Sequence, residues 1–222
     1  MASSYLDHSK VTEVLKPGTP TADYYMVVYD NSGPNLRRTD VGAVVTTRTP
    51  DDVRWTDLRA PASSINPAGQ TAGADIDDTD SSLLFASNAI ETAAVILQMP
   101  HEWKEGSEIR PHIHWSKTSD AAGGVEWEYR YRVFNVGDVV PAWSDWLAAD
   151  SQSSDPGATQ AMVIDGFPDI DMTGFTLSAM ISVAIRRNVD ATDDTYAADA
   201  KLWEFDIHYQ IDSRGSAEEF VK

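Results

Sequence analysis

Cysteine is absent from the 222 residues, which excludes a disulfide framework, a thiolate metal site and a cysteine nucleophile. It leaves the redox compartment open. Basic residues are scarce: 17 Lys+Arg stand against 35 Asp+Glu, a formal net charge of −18. A surface this acidic repels phosphate backbones and anionic lipid, so neither nucleic acid nor membrane is an expected partner. The adjacent pairs Arg37-Arg38 and Arg186-Arg187 fall far short of a basic patch and read as solvated or salt-bridged surface. Long apolar runs are missing too. The most apolar stretch, residues 89–99, contains Glu91 and is well below the ~20 residues a spanning helix needs. Residues 1–8 hold no basic stretch followed by an apolar core, so no signal peptide is expected. The reading is of a soluble chain.

What is present is alternation. From Val125 to Val133 the odd positions are Val125, Trp127, Tyr129, Tyr131 and Val133, and the even ones Glu126, Glu128, Arg130 and Arg132. A helix would scatter that set round its circumference, whereas a strand sorts it onto two faces. The same period links Trp203, Phe205, Ile207, Tyr209 and Ile211, separated by Glu204, Asp206, His208 and Gln210. It recurs from Phe175 to Ile185, and in Ile109, Pro111, Ile113 and Trp115, which alternate with Arg110, His112, His114 and Ser116. Four long strands with one wet face each predict antiparallel sheets packed on a single core. Shorter candidates cover residues 24–29, 41–47, 89–99, 143–147 and 161–164, with Gly, Pro, Asn, Asp and Ser between them. No segment shows helical spacing over a helical length. The expected fold is all-β: an antiparallel β-sandwich, jelly-roll-like, with an extended N-terminal arm.

The arm is residues 1–20, polar, with two prolines. Residues 61–82 form an Ala/Ser/Gly/Asp stretch longer than a compact domain normally leaves without structure. The expected division is therefore an N-terminal attachment segment with a few short strands over residues 1–82 and the sandwich over residues 83–222. Acidic loops are expected over residues 150–160 and 188–200.

Candidate chemistry centres on Pro111-His112-Ile113-His114-Trp115. Histidines at i and i+2 on a strand point the same way, which suits adjacent metal ligands. With Gly106 they make Gly-x5-His-x-His, which resembles the opening of the cupin motif. The family's glutamate should follow, but Thr118 and Ser119 stand in its place, and no second Gly-rich motif with a third histidine is found. Parity also sets His112 and His114 opposite Ile109, Ile113 and Trp115. The pair is thus expected to face solvent or a neighbouring chain and to hold no metal. A two-histidine, one-carboxylate site would have to recruit the strand that carries Asp206 and His208 on its polar face. It would need the two strands to be neighbours with those faces aligned.

Other clusters have simpler readings. The run Asp75, Asp77, Asp78 and Asp80 lacks the glycine and terminal glutamate of a calcium loop and reads as an acidic, solvated linker. Glu126 and Glu128 share their face with Arg130 and Arg132, so a cross-strand charge ladder displaces a glycosidase pair. There is no Gly-x-Ser-x-Gly elbow and no phosphate loop. No catalytic, cofactor-binding or metal-ligating residue is expected, and the chain reads as non-enzymatic. Of seven tryptophans, Trp127 and Trp203 fit core positions by parity. Trp143 and Trp146 flank a loop, where aromatic rings stack on sugars or fill protein interfaces, the interface being the stronger reading.

Gln98-Met99-Pro100-His101-Glu102-Trp103-Lys104-Glu105-Gly106-Ser107, running into Pro111–Trp115, together with Trp55-Thr56-Asp57-Leu58, resembles uncharacterised structural proteins of tailed bacteriophages. The resemblance spans about a quarter of the chain and transfers no catalytic residues. It implies a β-rich virion protein assembled in the host cytoplasm, partnered by other virion proteins (capsid, neck or tail) and by copies of itself. Within that setting the expected role is head decoration, head fibre or collar component. The alternatives are a carbohydrate- or receptor-binding module of a phage tail, with a host-surface glycan as partner, and a cupin-like metalloenzyme. A cysteine-free sandwich suits a reducing cytoplasm, and long antiparallel strands expose edges that another chain or an arm can cover.

Overall fold

The computed structural model of the chain describes residues 26–28, 37–39, 54–67, 72–150, 161–216 and 218–219. The chain divides into two units, Met1–Asp52 and Val53–Lys222. In the first, β1 (Met26–Val28) pairs antiparallel with β2 (Arg37–Thr39). The expected arm over residues 1–20 and the candidate strand over residues 41–47 lie outside the described residues, as does most of the acidic loop expected at residues 150–160.

The second unit is built of β3 (Arg54–Pro61), β4 (Asp75–Ile76), β5 (Leu83–Phe85), β6 (Thr92–Gln98), β7 (Ile109–Lys117) and β8 (Trp127–Phe134). It continues with β9 (Leu147–Ala148), β10 (Val163–Gly166), β11 (Met180–Arg187) and β12 (Ala200–Ile211). Among the described residues the helical content is one 3-10 turn at Ala62–Ser64. One sheet runs β10-β7-β12-β5-β4, and the other β6-β11-β8-β9. Every strand pairing is antiparallel. The chain's pairings nest: β8 with β9, β7 with β10, β6 with β11, β5 with β12. A long hairpin rolled up in this way, its successive pairs falling alternately in the two sheets, is a jelly roll.

The inward faces meet in one apolar layer. Trp115 from the first sheet and Trp127 from the second touch edge to face, ring centroids 5.9 Å apart. Phe85 meets Trp127 at 5.0 Å. The buried Trp115 indole donates to Asp165 Oδ2 at 2.7 Å, so its one polar atom is satisfied inside the core.

Strand β3 is the main departure from the expected division. It pairs with β12 from Glu204–Pro61 to Ile211–Arg54, and β4 pairs with β5. A boundary after Ser82 would pass through the sheet, whereas the two units meet after Asp52. β12 is thus covered along one side by β7 and along the other by β5 and then β3.

A second departure concerns Trp203. The β12–β7 register slips between Leu202 and Glu204, leaving Trp203 as the extra residue of a bulge. Inward parity is carried by Ala200 and Leu202 before the slip and by Phe205, Ile207 and Tyr209 after it. Trp203 leaves the core, half-buried, and its indole donates to Ser116 Oγ at 2.9 Å.

Of the buried basic residues, Arg187 and Lys201 are held by carboxylates. Arg187, expected at the surface, is 0% exposed. It donates to both carboxylate oxygens of Asp194 at 2.8 and 2.7 Å, to Ala198 O at 2.7 Å, and to Tyr196 O. Its neighbour Arg186 pairs with Glu128 across β11–β8 at 2.6 Å. Lys201 is gripped by Asp77 at 2.7 Å and Asp80 at 2.8 Å. The acidic run, with Asp75, Asp78 and Asp80 exposed, is therefore solvated as expected but is not a linker: it forms β4 and the turn into β5, fastened to β12.

Candidate functional site

Apart from the bulge, β7 and β12 each turn one residue in two away from the core. On β7 these are Arg110, His112, His114 and Ser116; on β12 they are Glu204, Asp206 and His208. The register sets His112 opposite Asp206, His114 opposite Glu204 and Arg110 opposite His208. On the far side of β12, Asp57 of β3 lies opposite His208 and Arg59 opposite Asp206. Three of the five histidines of the chain thus gather on one face with two aspartates.

His112, His114 and Asp206 each bring a ligand-type atom within 4.8 Å of the other two. His112 Nε2 lies 3.8 Å from Asp206 Oδ2. The His112 ring is 5.1 Å from that of His114 and 4.3 Å from that of His208, centroid to centroid. His208 Nε2 in turn sits 3.1 Å from Asp57 Oδ1. His112 was expected in solvent or against a neighbouring chain, but it is 6% exposed, and Asp206 is 4% exposed. His114 is half-buried. Burial, followed by the His208 and His114 charges, lowers the His112 pKa to about 4. Its imidazole is neutral at neutral pH, with a lone pair available. Burial likewise raises the Asp206 pKa, with the Asp57 charge adding to it. Asp206 Oδ1 is buried without a hydrogen-bond partner, a costly state for a carboxylate oxygen.

The flanks of the cluster are polar or open. Arg59, the cation nearest in register to Asp206, is held bidentately by Glu204 at 2.6 and 2.7 Å. Beside His112 on β7's other edge is Gly166 of β10, where the nearest atom that an added Cβ would meet is Asp150 Oδ2 at 3.5 Å.

The other sites considered from sequence fall elsewhere. Trp143 and Trp146 lie against outward arginines of the second sheet. Arg132 stands 4.5 Å from the Trp143 ring centre, Arg186 stands 4.2 Å from that of Trp146, and Arg130 reaches both rings at 5.0 and 4.5 Å. Guanidinium groups thus occupy ring surface that a sugar would use. The Glu128–Arg186 pair gives the expected ladder a cross-strand partner on β11. The Gln98–Ser107 phrase is a splice between β6, β7 and the end of β12. Glu102 accepts from Tyr209 Oη at 2.9 Å, Lys104 N–H donates to Gln210 O at 2.8 Å, and Glu105 accepts from Leu177 N–H at 2.7 Å. Gly106, at φ +75°, supplies the left-handed step of this crossing.

Asp57 escaped the sequence reading as a site residue. Its signal is the short alternation of Thr56, Leu58 and Ala60 with Asp57 and Arg59, too brief to assert a strand without its partner.

No family model matches this sequence, and no curated protein matches it. Among solved structures the chain is similar to the CBM35 from Cellvibrio japonicus Abf62, at 8% identity and a TM-score of 0.41 over 68% of this chain and 92% of that one. It is similar to a structure of infectious bursal disease virus, Gx strain, at 12% identity and a TM-score of 0.39 over 93% of this chain and 44% of that one. A third is the enzymatically active domain of bacteriophage CBA120 tailspike protein 4, at 11% identity and a TM-score of 0.33 over 71% of this chain and 19% of that one.

Proposed function

We propose that this chain is a non-enzymatic structural protein of a tailed-phage virion, a head decoration, head fibre or collar component that works as an oligomer. The observation that carries the reading is the organisation of the chain: a jelly-roll unit over Val53–Lys222 preceded by a separate unit over Met1–Asp52. A sandwich whose polar ties are internal provides a rigid body, and a separate preceding unit provides attachment. Support also comes from apolar side chains left outside the core. Val136, Val139 and Val140, in the loop after β8, are 76%, 92% and 47% exposed, a clustering that suits contact with another chain. Of the residues on which the phage resemblance rests, Gln98–Ser107 form the splice that locks β12 at its end.

The experiment is to purify virions of the phage that encodes this chain, identify their proteins by mass spectrometry, and label them with antibody to this chain for negative-stain imaging. The expected result is the chain in stoichiometric amount with label at a fixed position on the particle. A chain found only in the host fraction overturns the reading. A fragment spanning residues 53–222 is expected to fold and to lose binding to particles stripped of the protein. Undiminished binding by that fragment removes the attachment role of the N-terminal unit.

A further inference from the structure

We propose that His112, His114 and Asp206 form a binding site for one zinc-class divalent ion on the outward face of the β7–β12 pair. The arrangement a two-histidine, one-carboxylate site required, neighbouring strands with their polar faces aligned, is the one the register provides. Ligand-type atoms of all three residues lie within 4.8 Å of one another. Bonds of about 2.0–2.2 Å to a common ion put ligand atoms roughly 3–3.5 Å apart. His112 Nε2 and Asp206 Oδ2, at 3.8 Å, are close to that already, and the His114 nitrogen lies within 4.8 Å of both.

An independent observation points to a cation here. Asp206 is 4% exposed and its Oδ1 is without a hydrogen-bond partner. A buried carboxylate oxygen is normally paired, hydrogen-bonded or metal-bound. The guanidinium that register brings nearest is held by both oxygens of Glu204, so it does not fill this role. Two imidazoles and one carboxylate select zinc, iron, manganese, cobalt or nickel over calcium and magnesium, which prefer all-oxygen cages. With three protein ligands the ion keeps an open coordination position. His208, held by Asp57 at 3.1 Å, lies beside the site, its ring tilted 49° to that of His112. Because the ligands come from two central strands, the ion would clamp β7 to β12. The site stands whether or not the chain belongs to a virion.

The test uses the untagged full chain, stripped with chelator and titrated with ZnCl2 by calorimetry. Elemental analysis of the protein as purified and thermal melts with and without zinc accompany it. One zinc per chain and a higher melting temperature in zinc are expected. Asp206→Asn and the pair His112→Gln with His114→Gln should each lose at least 100-fold in affinity. His114→Gln alone alters a half-buried side chain and keeps the test valid if the others misfold, as read by circular dichroism. His101→Gln, on another part of the molecule, should bind as wild type. Absence of saturable zinc binding in wild type, or equal binding by folded His114→Gln, overturns the proposal. Titrations with MnCl2, NiCl2 and CaCl2 should rank calcium weakest; calcium binding as tight as zinc also overturns it.

Discussion

Arg187 is a buried charge held by one carboxylate and two backbone carbonyls. Its guanidinium is wholly buried against Asp194, whose side chain is 3% exposed. Removing one member of a buried pair leaves the other charge uncompensated, at about 3–5 kcal/mol. Arg187→Met is expected to destabilise by that amount in chemical denaturation, and addition of Asp194→Asn should recover part of the loss. The tryptophans separate in the same assay. Trp127→Ala, which empties the contact with Trp115 and Phe85, should cost about 3–5 kcal/mol. Trp203→Ala should cost well under half as much, because the bulge has taken that ring out of the core. Equal losses would mean that Trp203 packs as its parity in the sequence implies. Parity is a local property and was legible for Trp127. A bulge resets it, and only the partner strand records that.

At the scale of elements, β3 and the β4–β5 turn decide what the sandwich needs. A fragment beginning at Ser82 lacks β3 and leaves one side of β12 unpaired from Glu204 to Ile211, a long open edge. It is expected to aggregate or fail to fold, whereas the fragment from residue 53 should melt as the full chain does. Differential scanning fluorimetry and light scattering separate the outcomes. In the turn, hydrogen bonding to Lys201 leads the causes that lower the Asp77 pKa to about 2 from 3.8, and Asp80 is lowered by the same partner first. A depressed carboxylate pKa contributes stability above the unfolded value, and this is lost as pH falls from about 4 toward 2. Lys201→Met should therefore flatten the fall in stability across that window, measured by urea titration at a series of pH values. The fold class was legible in the sequence because period two survives in β7, β8, β11 and most of β12. β3 was not, since its inward residues, Thr56, Leu58 and Ala60, are small or few. The candidate site was half legible. His112 and His114 declare themselves by spacing and Asp206 by parity, but which strands lie side by side is set by pairings remote in sequence, invisible to local pattern.

Over the whole molecule the dominant quantity is the net charge of −18. Copies of such a chain repel one another, and salt screens that repulsion beyond a Debye length, about 10 Å at 0.1 M. Self-association should consequently strengthen as NaCl is raised from 20 to 500 mM, read by sedimentation velocity; weakening with salt would reveal complementary charged patches at the contact. The nested pairing has a further consequence, for the order in which the molecule can come into being. A ribosome releases strands from first to last, yet the last of them, β12, is the one that joins β7 and β10 to β5, β4 and β3. Until it emerges, the first sheet is two disconnected flanks, and the core that β12 roofs with Leu202, Phe205 and Ile207 faces water. Closure of the sandwich therefore waits on contacts between distant parts of the chain, which places it among slow folders. During that interval the exposed flanks are open to neighbouring nascent chains on the same message.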